Sequence, residues 1–427
     1  MSRIARAREL IGHRLVKNTV ALFIVQMSAY VAPLAVLPYL SRVLSTEHYG
    51  LIAFATSFNW YFMTLVDYGF NLTATRRAAI SQDDPKKLSE LFSSVMSAKI
   101  VLTIVGFAMM TGIVFATPKL RPNFPLFCIS YLLVLGDLLF PLWLFQGLQK
   151  MENLLWRDLG GKMLSLCLIF AFVRHDRDYL WAAAFQSSSM VIAGILGMWT
   201  VFRLTPARWV TPTRKEVIHV LVEGWPVFLS VAATTLTSST NIFILGLCSS
   251  PSDVAYYSIP FRVVIAIRSL ISPAVTAIYP YISRMASKSR DNAILFLRNS
   301  AWMVATPFFA GSLILFLAAV PIIHLFGAKY TASIPILRIL AFSPALLALQ
   351  HIYSTFYMLA FGYEREWSRI ILRTTILNFM ILVPLLMIMW HPAAVAVTSM
   401  CLEVFVMVST YLFYRKTARV MRPTIAA

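Results

Sequence analysis

Residues 137–151 read DLLFPLWLFQGLQKM, and this stretch constrains how the rest of the chain can fold. It opens with the carboxylate of Asp137 at the start of an apolar run, and Pro141 follows four residues later. An ionisable group at membrane depth is costly and usually has a function. A proline inside a helix removes one hydrogen bond and bends the helix. The stretch therefore predicts a bent membrane-spanning helix that carries a functional acid.

The composition of the whole chain indicates a membrane protein. Hydrophobic residues make up 59% of the 427 residues, charged residues make up 13%, and the mean hydropathy is +0.73. A soluble protein of this size could not hide so much apolar surface from water. The apolar runs lack the alternating pattern of membrane β-barrels, so the spans should be helices. We therefore predict an all-α polytopic membrane protein.

The apolar runs give the number and grouping of the spans. At about 20 apolar residues per spanning helix, the sequence holds about twelve candidates, at about residues 17–41, 50–72, 91–116, 124–148, 155–173, 178–202, 223–248, 254–281, 300–323, 334–361, 368–390 and 392–414. A basic, proline-containing stretch interrupts the pattern after the sixth span. We expect an N-terminal six-helix bundle, a cytoplasmic connecting segment, a C-terminal six-helix bundle and a basic cytoplasmic tail, at residues 1–205, 206–222, 223–415 and 416–427.

The formal net charge of +19 is explained by topology rather than by nucleic-acid binding. When alternate loops are assigned to opposite sides, basic clusters gather on the side of the N-terminus, within residues 3–17, 76–87, 150–157, 203–215, 284–298, 365–369 and 415–422. The opposite loops hold few basic residues, namely Arg42, Lys119, Arg121, Arg174, Arg177 and Lys329. Cytoplasmic loops of membrane proteins carry such an excess of Lys and Arg. Both termini should therefore be cytoplasmic.

This topology predicts the outcome of reporter fusions. A reporter joined after Arg214 or at the C-terminus should show the activity typical of the cytoplasm, because both points lie on the positive side. The measurement is the ratio of a cytoplasmic to a periplasmic reporter enzyme at each junction. A periplasmic signal at either point would overturn the assignment of the loops.

The sequence lacks the motifs that are typical of several classes of enzymes and of metal sites. No glycine-rich phosphate loop of the Walker type occurs, so the chain should not hydrolyse ATP itself. The seven histidines are scattered and form no metal-binding motif. We expect no enzymatic activity, no catalytic residues, no metal and no cofactor. Any transport should then be driven by an ion gradient or by the gradient of the substrate.

Charged residues inside the predicted spans are the candidate functional residues. The basic ones are Lys99, Lys162, Arg262, Arg268, Arg338 and Arg373, and the acidic ones are Asp67, Asp137, Glu223 and Glu403. The cationic excess indicates an anionic substrate, since guanidinium groups bind phosphate oxygens in a bidentate manner. We predict that the substrate is bound by Arg268, Arg262, Lys99, Lys162 and Arg373. For Lys99 and Arg262, snorkelling to the membrane surface is an alternative.

Arg268 is the leading substrate-binding candidate because its own helix offers it no acid. Its neighbours one turn away are Val264, Ile265, Ile271 and Ser272. A charge at this depth needs compensation from another helix, from water or from the substrate.

The acids Asp137, Asp67, Glu223 and Glu403 are candidates for binding a coupling ion, H⁺ or Na⁺, because burial favours the neutral form of a carboxylate. Asp137 is the leading candidate. A structural ion pair with Lys99 is the competing interpretation for Asp137, and an interfacial pair with Arg76 or Arg77 is the competing one for Asp67.

Four stretches resemble a known family. The first stretch is similar to the P-x-W-x-F-Q-G-x-E-x-M signature of bacterial polysaccharide-repeat flippases, although Gln149 stands at the position of the acid; the matching residues are Pro141, Trp143, Phe145, Gln146, Gly147 and Met151. The stretches LPYLSRVLSTEHYG, IYPYISRM and LFGAKYTASIPILRILAFSP, at residues 37–50, 278–285 and 325–344, are also similar to that family. The chain thus resembles, over nearly its whole length, the polysaccharide transporters of the multidrug/oligosaccharidyl-lipid/polysaccharide superfamily.

The resemblance implies a fold, a function and partners. The fold is two six-helix bundles around a central cavity. The implied function is a flippase that carries undecaprenyl-diphosphate-linked oligosaccharide repeat units, of O-antigen or exopolysaccharide, from the cytoplasmic to the periplasmic leaflet of the bacterial inner membrane. The implied partners are this lipid-linked oligosaccharide, the bilayer, a polysaccharide polymerase and a chain-length regulator.

Three alternatives to the flippase stay open. A multidrug or cation antiporter of the same superfamily would share the architecture, but cationic drugs favour an acidic cavity. A peptidoglycan-precursor flippase usually has more spans. The third alternative is a membrane scaffold that transports nothing, and charged residues inside the spans argue against it.

Overall fold

The computed structural model describes residue 34 and residues 36–420 of the chain. Most of the predicted first span at 17–41, and residues 421–427 of the predicted tail, lie outside the described residues. All regular secondary structure in the described part is helical, as the sequence predicts.

Residue contacts divide the chain into two compact units, with the boundary between Leu247 and Cys248. The helices of the first unit are α1 (36–43), α2 (Thr46–Asp67), α3 (Phe70–Ile80), α4 (Pro85–Ala116), α5 (Phe124–Ser130), α6 (Leu132–Leu139), α7 (Leu142–Gly147), α8 (Glu152–Phe172), α9 (Tyr179–Leu204) and α10 (Arg214–Cys248). The helices of the second unit are α11 (Pro251–Ser269), α12 (Ser272–Lys288), α13 (Arg290–Leu317), α14 (Ala319–His324), α15 (Ser333–Leu340), α16 (Ser343–Tyr353), α17 (Glu364–Ile388) and α18 (His391–Val420). A π-helical turn, Ser354–Leu359, follows α16.

Helix length and composition support the prediction of a polytopic membrane protein. Within the described residues, eight helical stretches are long and apolar enough to cross a membrane: Pro85–Ala116, Arg121–Gly147, Asp176–Leu204, Arg214–Ala233, Arg290–Leu317, Ser333–Leu359, Glu364–Ile388 and His391–Thr417. The predicted spans at 50–72, 155–173 and 254–281 also fall on helices, because α2, α8 and the pair α11–α12 cover most of them. The predicted spans that the structure describes are therefore helical.

Helix α10 packs against α2 in the first unit. The ring of Phe243 stacks on Phe54 and Phe58, with centroid distances of 5.9 and 5.4 Å. The hydroxyl of Tyr61 donates to Oγ1 of Thr240 at 3.2 Å. The sequence assigns this helix to the second bundle and the residues before it to a connecting segment, whereas the helix already begins at Arg214. The predicted boundaries at 205 and 223 stay predictions.

Two spans of the first unit are interrupted, and local sequence explains both breaks. Between α2 and α3, Tyr68 and Gly69 adopt left-handed conformations with φ of 48° and 77°. Glycine suits this conformation, and a Cβ on Gly69 would also lie 2.6 Å from Cγ1 of Val227. Between α6 and α7 the helix breaks at Phe140 and Pro141, as the proline predicts.

The segment after the second break packs closely on α3. The hydroxyl of Thr75 donates to the carbonyl oxygen of Trp143 at 3.1 Å. A Cβ on Gly147 would lie 2.6 Å from Cβ of Ala78 and 2.8 Å from the carbonyl oxygen of Thr75. The glycine of the signature stretch therefore lets two helices approach, as small residues do in membrane helix pairs.

Gly147→Ala is expected to destabilise the protein by about 1–3 kcal/mol, because the new methyl group meets backbone that cannot move aside. The measurement is the thermal unfolding midpoint of the purified protein in detergent. Gly160→Ala is the matched control, since a Cβ there has no heavy atom within 4 Å. If the two variants unfold at the same temperature, the close packing of α3 and α7 does not contribute to stability.

Candidate functional site

Lys99 of α4 and Asp137 of α6 form a buried ion pair in the first unit. The Lys99 amine donates to the carboxylate of Asp137 at 3.3 Å and to its backbone carbonyl oxygen at 2.8 Å. The side chain of Lys99 is only 3% exposed and that of Asp137 is 17% exposed. Of the sequence-based interpretations for Lys99, the structure therefore shows the ion pair with Asp137 and not snorkelling.

Pro141 explains why the lysine binds the backbone as well. In an uninterrupted helix the carbonyl of Asp137 would accept from the N–H of residue 141, but proline has no N–H. The carbonyl accepts a 3.3 Å hydrogen bond from the N–H of Phe140, and the Lys99 amine supplies a second, shorter one in place of the missing N–H. Its positive charge also lies near the C-terminal end of α6, where the helix dipole favours a cation. The acid and the proline that open the signature stretch are thus joined in one local structure.

Asp67 lies beside this pair. It is the last residue of α2, immediately before the left-handed break, and it accepts a hydrogen bond of 2.6 Å from the side-chain amide of Asn71. Both Asp137 and Lys99 are within electrostatic reach of its carboxylate. Asp67, Lys99 and Asp137 are called the acid–lysine cluster below. Two carboxylates around one ammonium leave this cluster one negative charge in excess when both acids are ionised.

Arg268 is compensated by an acid from another helix of the second unit. Its Nη1 donates to Oε1 of Glu403 at 2.5 Å and to the hydroxyl of Ser343 at 3.1 Å. The hydroxyl of Ser343 donates to the same carboxylate oxygen at 2.8 Å. Arg268, Ser343 and Glu403 are called the arginine–glutamate cluster below. Among the sources of compensation that the sequence allows, the structure shows a neighbouring helix, α18.

Helix ends place the arginine–glutamate cluster. Arg268 lies in the last turn of α11, which stops before Leu270, and Ser343 is the first residue of α16. A cation at a helix C-terminus and an anion at a helix N-terminus are both favoured by the helix dipoles. In both units, therefore, a cation lies at the C-terminal end of an interrupted helix: buried Lys99 at the end of α6, and partly buried Arg268 at the end of α11. In the first unit the carboxylate partner, Asp137, belongs to the interrupted helix α6 itself. In the second unit the partner, Glu403, belongs to α18, which is continuous.

Further polar groups surround Glu403. Within the described part of the chain, its Oε2 is buried and accepts no hydrogen bond. Tyr257 lies within electrostatic reach of Glu403, and its hydroxyl shares a hydrogen bond of 3.3 Å with Ser399. His351 of α16 lies within electrostatic reach of Arg268. The carboxylate thus keeps acceptor capacity that the arginine does not use.

The other predicted site residues lie outside these two clusters. Lys162 pairs with Asp158 at 2.5 Å, and Glu223 pairs with Arg77 at 3.1 Å and is 40% exposed. Arg373 is exposed on α17, and Arg262 is partly exposed on α11. In the described part of the chain, neither of these two arginines has a carboxylate within ion-pair distance. Their predicted roles in binding substrate or ion stay predictions.

Sequence reasoning missed the partner of Lys162 and most of the polar groups around Arg268. Asp158 and Lys162 are four residues apart, a spacing that brings side chains together on a helix surface, so the pair could have been found. Ser343, Tyr257 and His351 carry no such signal, because their proximity to Arg268 depends on how separate helices pack.

Comparison with known proteins identifies the family. The pattern of the polysaccharide biosynthesis protein family matches residues 15–286. An Escherichia coli (strain K12) protein named "Putative O-antigen transporter" is 30% identical over 400 residues, which cover 93% of this chain and 96% of that protein. A protein of the same name from Shigella dysenteriae is 28% identical over 376 residues, which cover 86% of this chain and 92% of that protein.

Solved structures share the fold. An inward-facing multidrug resistance MATE family transporter of the MOP superfamily matches with a TM-score of 0.62 at 14% identity, over 96% of both chains. An outward-facing one matches with a TM-score of 0.56 at 13% identity, again over 96% of both chains. At this identity the likeness concerns the fold alone. The chain therefore belongs to the polysaccharide biosynthesis protein family, as an all-α multi-pass membrane transporter and not an enzyme.

Proposed function

We propose that the protein moves oligosaccharide repeat units linked to undecaprenyl diphosphate from the cytoplasmic to the periplasmic leaflet of the inner membrane, by ion-coupled alternating access. The observation that carries this proposal is Arg268, a permanently charged group of the membrane-spanning part that is held in place by Glu403 of a different helix. The names of the Escherichia coli and Shigella dysenteriae relatives support an O-antigen repeat as the transported molecule.

The arginine–glutamate cluster is the proposed diphosphate site. A guanidinium presents several N–H donors in a planar fork that matches phosphate oxygens as well as a carboxylate. One oxygen of Glu403 accepts from Nη1 of this fork, and a phosphate oxygen can replace it while Ser343 continues to donate to the glutamate. Glu403 thus keeps the charge of Arg268 compensated when no substrate is bound. Arg262 lies earlier on the same helix, and its contact with the substrate stays a prediction.

The acid–lysine cluster is the proposed site of the coupling ion. With both acids ionised it holds one negative charge in excess, so one H⁺ or Na⁺ makes it neutral. A buried charge that lacks a partner is expensive in a medium of low dielectric. Binding of one cation is therefore favoured at this cluster, and Asp67 or Asp137 supplies the oxygen. Under this proposal, ion binding belongs to the first unit and phosphate binding to the second.

Reconstitution tests the function directly. The purified protein is placed in proteoliposomes that contain an undecaprenyl-diphosphate-linked oligosaccharide, and the amount of sugar that becomes accessible to an added glycosidase is followed with time. We expect accessibility to rise with the protein and to rise faster with an imposed gradient of H⁺ or Na⁺. Vesicles without protein measure leakage. Transport of a cationic dye without movement of the lipid-linked sugar would instead show a multidrug antiporter.

The transported lipid-linked oligosaccharide would be available on the periplasmic side to a polysaccharide polymerase and a chain-length regulator. These proteins join repeat units and set the number that is joined, so they need the sugar on the far side of the membrane. Their direct contact with this chain stays a prediction.

A further inference from the structure

We propose that the predicted cytoplasmic end of the α8–α9 hairpin binds the phosphate of an anionic phospholipid, held between Arg157 and Arg203. This site is separate from the two charged clusters, and the proposal does not depend on the transported molecule. It rests on the geometry of the two arginines, the local charge and the apolar surface beside them.

The two arginines are held at one end of the hairpin. Helices α8 and α9 pack against each other and are joined by residues 173–178, so they run antiparallel. Arg157 lies in the second turn of α8 and Arg203 in the last turn of α9. Both guanidinium groups lie over the ring of Trp199, with Cζ at 5.9 and 5.6 Å from the ring centroid. Such distances are typical of cation–π contacts, which restrict the two cations to a common neighbourhood.

The local charge favours an anion. Residues 148–157 and 199–205 contain three cationic side chains, Lys150, Arg157 and Arg203, and a single acid, Glu152. The next acid, Asp158, is buried and pairs with Lys162 at 2.5 Å. Arginine stays positively charged, so an anion that contacts both guanidinium groups is stabilised electrostatically by both. Phosphate offers several oxygens and can accept hydrogen bonds from both forks.

The surface beside the arginines is suited to acyl chains. Trp199 is 54% exposed and Trp156 is 73% exposed, and Phe202 and Leu204 are exposed as well. Tryptophan is enriched at the level of lipid headgroups, and basic pockets between membrane helices on the cytoplasmic side bind anionic headgroups. This arrangement suits a phospholipid: the headgroup phosphate would lie between the two arginines, and the acyl chains would lie along the exposed aromatic side chains. The occupant is therefore a phospholipid such as phosphatidylglycerol or cardiolipin.

The test is lipid binding to the purified full-length protein. Phosphatidylglycerol is titrated into the protein in detergent, and the lipid-bound fraction is measured by native mass spectrometry. We expect the variant Arg157→Ala/Arg203→Ala to bind this lipid about tenfold more weakly, because each basic residue near an anionic headgroup contributes to the free energy of binding. The control variant, Arg174→Ala/Arg177→Ala, removes two charges from the other end of the same hairpin and should bind as the unmodified protein does.

Three further arms separate the outcomes. Phosphatidylcholine, which has a phosphate but no net charge, should bind weakly to all three proteins. Trp199→Phe should retain more binding than Trp199→Ala, because a ring remains beneath the guanidinium groups. Equal affinity of the double variant and the unmodified protein would refute the site. Displacement of phosphatidylglycerol by undecaprenyl phosphate at equal concentration would show that the site belongs to the transported lipid, and would likewise refute a phospholipid site.

Discussion

Arg268→Ala is expected to reduce transport of the lipid-linked oligosaccharide to the background of empty vesicles. The substitution removes the guanidinium that we assign to the diphosphate, and it leaves Glu403 as a buried carboxylate without its ion-pair partner. Removing one partner of a buried pair typically costs about 3–5 kcal/mol. The assay is the glycosidase-accessible sugar in proteoliposomes, normalised to the folded protein measured by size-exclusion chromatography. Arg268→Lys should keep part of the activity, because the charge survives and the fork is lost.

A double variant distinguishes recognition of the substrate from compensation of charge. In Arg268→Ala/Glu403→Gln no charge is left buried without a partner, so stability should return towards that of the unmodified protein. Transport should not return, because the phosphate still lacks its guanidinium. Glu403→Gln alone should keep Arg268 available and retain more transport than either variant without the arginine. Normal transport by the double variant would show that Arg268 serves only to neutralise Glu403.

The sequence predicted the helical architecture because the membrane imposes it. Every backbone polar group in lipid must find a partner inside its own segment, so long apolar runs become helices. The interruption at Pro141 was predicted, because proline cannot donate the helical hydrogen bond. The break at Gly69 was not predicted, although glycine adopts the left-handed conformation found there. The helices that α10 contacts could not be predicted in the same way. Its contacts with Phe54 and Phe58 depend on tertiary packing, and the hydropathy of a segment does not indicate which other helices it packs against.

The partners of the buried charges show where sequence reasoning ends. That Arg268 needs a partner from outside its helix followed from its neighbours in the sequence, but Glu403 is 135 residues away and had no local link to it. Lys99 and Asp137 are 38 residues apart, and their pair was one of several open interpretations. Depth in the membrane can be read from the sequence, because it needs only the distance from a span's end. The direction in which a side chain points depends on helix rotation, which packing sets.

Lys99→Met is expected to destabilise the protein more than a substitution at an exposed lysine, because Lys99 has two roles. Asp137 would lose its ion-pair partner, and its carbonyl would lose the donor that replaces the missing N–H of Pro141. We expect a loss of about 3–5 kcal/mol of stability, as for other broken buried pairs. The measurement is thermal unfolding in detergent, and Lys86→Met on exposed helix surface is the control. Equal unfolding temperatures for the two variants would show that the pair is not needed for folding.

Asp137→Asn separates this structural role from ion coupling. The asparagine keeps a polar side chain of the same size beside Lys99, and the lysine still donates to the backbone carbonyl, so the protein should fold. The acid–lysine cluster then changes from one negative charge in excess to none, since Asp67 and Lys99 balance each other. The cluster no longer needs a cation to be neutral, so transport should lose its response to imposed gradients of H⁺ and Na⁺. Asp83→Asn, in an exposed turn, is the control that leaves this response intact. If transport by Asp137→Asn keeps its full dependence on pH and Na⁺, Asp137 is not the coupling acid and its carboxylate serves only to hold Lys99.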